Sequence, residues 1–151
     1  MRASALALAA APLLASSSRA EAQVLGVSAR PDWSASGPLT GREPVDPAAL
    51  TDEERMHVPV LTLPPRVRAG RPFELVVQIG VRPHEQLAAH HVDWIDVCVG
   101  ERRIFVADLS VEVPWPIVRV PIVLSERALL GVRARCSQHG VWITRRLVEA
   151  T

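Results

Sequence analysis

Cys136 and His139 stand three residues apart in the stretch Cys136-Ser137-Gln138-His139-Gly140-Val141-Trp142. A thiolate and an imidazole at that spacing can meet one ion across a tight turn, and Gly140 lets the backbone turn sharply behind them. The other histidines lie upstream at His57, His84, His90 and His91. His84 and His90 are six apart, His90 abuts the run Val92-Asp93-Trp94-Ile95, and His57 stands just before Val58-Pro59-Val60. One soft sulfur donor with several imidazoles suits iron, copper or zinc, whereas calcium and magnesium take oxygen donors. Singly, each residue has a plainer reading. Cys-x-x-His arises by chance, His84 serves as an ordinary loop residue and His57 as a polar residue at a strand edge. Jointly they carry more weight, because all fall at strand ends or loops, and loops at one end of a sandwich bring distant segments together.

The elements that would position these residues are short and β-rich. Candidate strands are Val58–Leu63, Phe73–Ile79, Val92–Val99, Ile104–Val113, Ile117–Leu124, Leu130–Arg135 and Val141–Val148. Alternation places Phe73, Leu75, Val77 and Ile79 on one face, and Leu130, Val132, Ala134 and Cys136 on another. Turn signals separate the runs at Ala69-Gly70-Arg71-Pro72, Gly100-Glu101-Arg102-Arg103 and Ser125-Glu126-Arg127. Such spacing predicts an all-β, antiparallel sandwich of about seven strands. Pro47–Glu54 is expected to hold one helical turn, capped by Thr51 or Asp52.

Composition narrows the function. The chain has 151 residues, 48% hydrophobic and 22% charged, with a formal charge of +1. That is one folded domain with no basic surface for nucleic acid. All 17 basic side chains are Arg; there is no lysine. Residues 1–22 read as a secretory signal: Arg2, an apolar run Ala3–Ala15 too short to span a bilayer, and the cleavage pattern Ala20-Glu21-Ala22. Its removal leaves a formally neutral chain with no membrane span, expected in a bacterial periplasm. Residues 23–52, holding Pro31, Pro38, Pro44 and Pro47, read as a proline-rich arm or linker, and 53–151 as the domain. Cys98, inside Val97-Cys98-Val99, reads as a small buried residue. A Cys98–Cys136 disulfide is the alternative in an oxidising compartment, and it would destroy a metal site. Trp94 and Trp142 read as core or metal-neighbouring aromatics.

From Met56 to the C-terminus the chain resembles the iron domain of desulfoferrodoxin and neelaredoxin, the superoxide reductases. The matching pieces are His57-Val58-Pro59-Val60, Val67-Arg68-Ala69-Gly70-Arg71-Pro72-Phe73, His84 and His90 leading into His91-Val92-Asp93-Trp94-Ile95, and Cys136-x-x-His139-Gly140-x-Trp142. The resemblance implies an immunoglobulin-like sandwich holding one mononuclear iron through four equatorial histidines and an axial cysteine. Carried over by motif, these are His57, His84, His90, His139 and Cys136, with His91 a neighbour and not a ligand. It implies one-electron reduction of superoxide to hydrogen peroxide at the open sixth position. An electron donor that the sequence does not name would restore the ferrous state, and a homo-oligomer is compatible with the sequence. The family's extra rubredoxin-like centre needs four cysteines, so the likeness is to the one-iron type. Two departures stand out. The family's Glu-Lys before the first histidine reads Arg55-Met56 here, which leaves Arg55 as the candidate for an electrostatic role, although Arg is a poor proton donor. The step from His57 to His84 is 27 residues, which implies a longer loop. The missing lysine keeps open a non-catalytic iron or copper binder, or an electron-transfer protein of the same fold, and beyond these an interaction module with a vestigial site.

Overall fold

The computed structural model describes residues 39–151. The expected signal at 1–22 and residues 23–38 of the arm lie outside the described residues. Among those described, no helix is long and apolar enough to cross a membrane.

The order is α1 (Asp52–His57), β1 (Pro59–Thr62), β2 (Pro72–Ile79), β3 (Val92–Val99), β4 (Arg102–Asp108), β5 (Ile117–Val123), β6 (Ala128–Cys136) and β7 (Gly140–Val148). These strands form two antiparallel sheets, β1-β2-β5 and β4-β3-β6-β7. Alternation drives the packing. Leu75, Val77 and Ile79 of β2 and Val120 and Ile122 of β5 meet Ile95, Val97, Leu130, Val132 and Ala134 across the interior. Each large side chain buried there contributes about 1.5–3 kcal/mol of transfer free energy. The predicted faces of β2 and β6 are the observed inner faces, Phe73 alone being only partly buried.

Boundaries differ in instructive places. The expected fourth strand ran to Val113, but pairing ends at Asp108. Leu109, Val111 and Val113 continue the alternation, yet Val113 N–H bonds back to Ser110 and closes a local turn ahead of Pro114 and Pro116. Those two prolines have no N–H to give a ladder. Of the two expected helix caps, Thr51 is the one used. Asp46–Ala49 forms a separate turn, and α1 starts after Thr51, whose hydroxyl accepts from Glu54 N–H while the Glu54 carboxylate accepts from Thr51 N–H. This capping box uses two of the orphan donors at the helix start.

Two close approaches position the site end. Gly80 has φ of +86°, and a Cβ there would lie 2.3 Å from the Arg82 carbonyl oxygen and 2.6 Å from that of Met56. Only a residue without a side chain lets Gly80 N–H reach the Val58 carbonyl and Val81 N–H reach that of Arg55. The end of α1 is thereby pressed against the end of β2. At the far edge, residues 39–43 run along β7: Arg42 N–H bonds the Val141 carbonyl, and Ile143 N–H bonds the Arg42 carbonyl. This covers the outer side of β7, so Trp142 and Ile143 are both buried although they are adjacent in a strand.

Candidate metal centre

His57 ends α1, with its Nδ1 2.7 Å from the Glu53 carbonyl oxygen. A carbonyl can only accept, so Nδ1 carries the proton and Nε2 is left with a free lone pair facing inward. His84 and His90 come from the β2–β3 loop. His84 N–H bonds the Ile79 carbonyl, and Leu87 and His90 exchange two backbone bonds around Ala88 and Ala89. Gln86 clamps this loop to the start of β3 through the Val92 N–H and carbonyl. Cys136 ends β6 and His139 is the last residue of the three-residue β6–β7 turn, which Gly140 closes with φ of +75°. The two loops are pinned together: Gln138 donates to the Ala89 carbonyl, Ser137 N–H to the His91 carbonyl, and His91 N–H to the Ser137 hydroxyl.

These segments bring all five expected donors together. The donor atoms of His57, His84, His90 and Cys136 lie within 4.8 Å of one another. His90 Nε2 is 3.3 Å from His57 Nε2, 3.1 Å from His84 Nε2 and 3.1 Å from His139 Nδ1. Cys136 Sγ is 3.5 Å from His139 Nδ1 and 3.8 Å from His84 Nε2. His139 therefore joins the group through His90 and Cys136, presenting Nδ1 where the other three present Nε2. His57, His84 and Cys136 are buried, while His90 and His139 are half-buried and face the accessible side.

The donor set fits a cation. Burial pushes the imidazoles of His57, His84 and His90 below their ordinary value, His84 to about 4, and repulsion among the rings adds to it. The rings are thus neutral near pH 7, with lone pairs directed at one another. A single proton on His90 Nε2 could serve only one of its three nitrogen neighbours, whereas one ion could serve all. Donors at right angles around an ion at about 2.1 Å lie about 3.0 Å apart, close to the observed nitrogen spacings.

His91 is a neighbour, as expected: its Nδ1 faces the Leu87 carbonyl and its Nε2 lies 3.1 Å from Asp93 Oδ1. Arg55 is exposed and donates through Nε to the Leu50 carbonyl. Cys98 and Cys136 are both free thiols. Cys98 sits opposite Gly131 and Cys136 is five residues further along β6, a strand distance of roughly 17 Å that no disulfide spans. Burial pushes the Cys98 thiol up, keeping it protonated. The sequence reading missed Glu53, Gln86 and Arg42. Arg42 donates to Glu53 Oε1 at 2.6 Å, has its guanidinium 4.4 Å from the Trp142 ring centre, and lies 3.4 Å from the His139 carbonyl oxygen. Trp142 in turn stacks on His57, centres 5.5 Å apart and planes 16° from parallel.

The desulfoferrodoxin family model matches residues 49–145, a stretch that contains the whole donor cluster. The chain belongs to the desulfoferrodoxin family. A Methanocaldococcus jannaschii protein that carries the provisional name of superoxide reductase is 32% identical over 96 residues, covering 61% of this chain and 81% of its own. Among solved structures, a variant of the superoxide reductase (neelaredoxin) of Ignicoccus hospitalis superposes with a TM-score of 0.60 at 24% identity, covering 66% of this chain and 84% of that one. A variant of the Archaeoglobus fulgidus neelaredoxin gives 0.56 at 20%, covering 68% and 96%. At these identities the structures speak for the fold alone, and it is the fold found here: seven strands in two antiparallel sheets.

Proposed function

We propose that this desulfoferrodoxin-family chain reduces superoxide to hydrogen peroxide by one electron, at a mononuclear iron held by His57, His84, His90, His139 and Cys136, in the periplasm. The reading is carried by one observation: four imidazole nitrogens and a sulfur from three separate segments converge on one point. A ferrous ion held by these five residues would supply the one electron that, with two protons, converts superoxide to hydrogen peroxide, and an external reductant would return that electron to the site. Cys136 would hold the metal through its sulfur, a ligand type that as thiolate pushes electron density towards iron. The Glu53 carbonyl holds the proton on His57 Nδ1, so that Nε2 stays free to donate. Burial of His57, His84 and Cys136 keeps bulk water from one side, while half-exposed His90 and His139 leave the other side open to a small anion.

The test is the metal content and optical spectrum of the purified protein, followed through reaction with superoxide generated by pulse radiolysis. The expected result is one iron per chain, a thiolate-to-ferric charge-transfer band, and peroxide formed from superoxide. A second reading, a non-catalytic iron or copper binder or electron carrier, is favoured by one feature. The chain has no lysine, and Arg55, the residue expected to supply positive charge, is engaged with the Leu50 carbonyl. Iron bound through all five donors but indifferent to superoxide would establish that reading instead.

A further inference from the structure

We infer that Arg42 is a positioning residue of the metal centre, supplied by a segment outside the family-matched stretch 49–145; this rests on the metal-binding reading above. Its guanidinium touches three groups that each bear on a donor. Nη1 donates to Glu53 Oε1 at 2.6 Å, and the Glu53 carbonyl fixes the proton on His57. The same nitrogen lies 3.4 Å from the carbonyl oxygen of His139. The cation sits over the indole of Trp142, which stacks on His57. One side chain therefore joins the helix end that carries His57 to the turn that carries His139.

Arg42 is itself held in place by backbone. Its N–H and carbonyl both pair with β7, Leu39 packs where Gly131 lacks a side chain, and Arg145 bonds Glu43 and the Leu39 carbonyl. Arm docking thus has anchors that do not involve the Arg42 side chain. The Arg42–Glu53 pair is half exposed, 54% and 42%, and such pairs add little to fold stability. Groups that orient ligands from behind, by contrast, change metal affinity by about 10–100-fold when removed. Arginine suits the task because its planar fork can bond a carboxylate while its face lies on an aromatic ring.

The experiment uses the full chain with cobalt(II) as probe. Affinity is measured by competition with a chromophoric chelator, and the ligand field by visible absorption. Arg42→Gln is expected to bind cobalt about tenfold or more weakly. Its thiolate band should be retained, its d–d envelope shifted, and Arg42→Lys should recover part of the loss. Arg145→Gln, which removes the arm's other side-chain anchor, is expected to stay within about twofold of wild type. Arg42→Gln binding as tightly as wild type, with an unshifted envelope, overturns the inference, and so does Arg145→Gln losing as much as Arg42→Gln. If Arg42→Gln does not fold by circular dichroism, Arg42→Lys decides in the same way, because it keeps the charge and loses the fork. Wild-type protein that takes up no cobalt defeats the metal reading itself; wild type that binds while the variant matches it defeats only the role of Arg42.

Discussion

A backbone carbonyl sets the chemistry of His57. Because Glu53 O can only accept, Nε2 is offered as a donor before any ion arrives. Cys136 is the residue that most separates this centre from an all-nitrogen one. Cys136→Ser is expected to abolish the thiolate charge-transfer band and to weaken iron binding about tenfold or more, read by chelator competition and absorption. The same cluster predicts a pH dependence. Burial holds His84 at about 4 in the fold, against 6.5 for the free side chain, and holds His57 and His90 below it too. The unfolded chain takes up protons as pH drops through about 6.5 while the native chain resists, so protonation favours unfolding. Metal-free protein should be at full stability above about pH 6.5 and lose stability as pH falls from there towards 4. Melting temperatures of chelator-treated protein between pH 7.5 and 5 check this, and a flat profile would contradict it. The type and spacing of these donors were legible in the sequence. The free state of Cys98 was not, since only strand register places it far from Cys136.

Elements place the donors through two local devices. Gly80 combines a left-handed backbone with an approach that leaves no room for a side chain. Gly80→Ala should cost about 1–3 kcal/mol from conformation alone, and more from the backbone clash. Because Gly80 N–H bonds the residue following His57, metal affinity should fall together with the denaturation midpoint. Thr51→Ala removes the cap of α1 and should cost about 1 kcal/mol, measured by urea titration. The second expectation concerns the short segment between arm and sheet, where the sequence reading gave no more than a single turn. It placed one helical turn within Pro47–Glu54 with Thr51 or Asp52 as its cap; Thr51 is the cap, and the helix runs on from it over Asp52–His57. Ahead of that cap, the Asp46 side chain and carbonyl close a separate turn. The strands were more legible, since period-two alternation is a direct image of a half-buried sheet. β4 was overextended because alternation continues past Leu109, where the bonding to β3 gives way to the Ser110–Val113 turn.

At the scale of the molecule, two sheets share one interior and the histidine–cysteine cluster sits at one end of it. Leu75, fully buried between them, should cost about 2–5 kcal/mol when cut back to Ala. Since β2 meets the site at its last residue, Ile79, whose carbonyl accepts from His84 N–H, and Leu75 lies four residues back along the strand, the folded Leu75→Ala protein should keep near-native metal affinity. Equilibrium unfolding and chelator competition on the same sample separate the two effects. The sequence alone determined the all-β class, the positions of most strands, the family and which five residues to examine as candidate donors, because alternation and motif spacing are written in local order. Tertiary structure decided that His57, His84, His90, Cys136 and His139 face one point, that the two cysteines stay apart, and that Arg42 stands behind the centre. Those are facts of register and of segments meeting across the fold, and Arg42 and His139, 97 residues apart in sequence, carry no local pattern that could announce their contact.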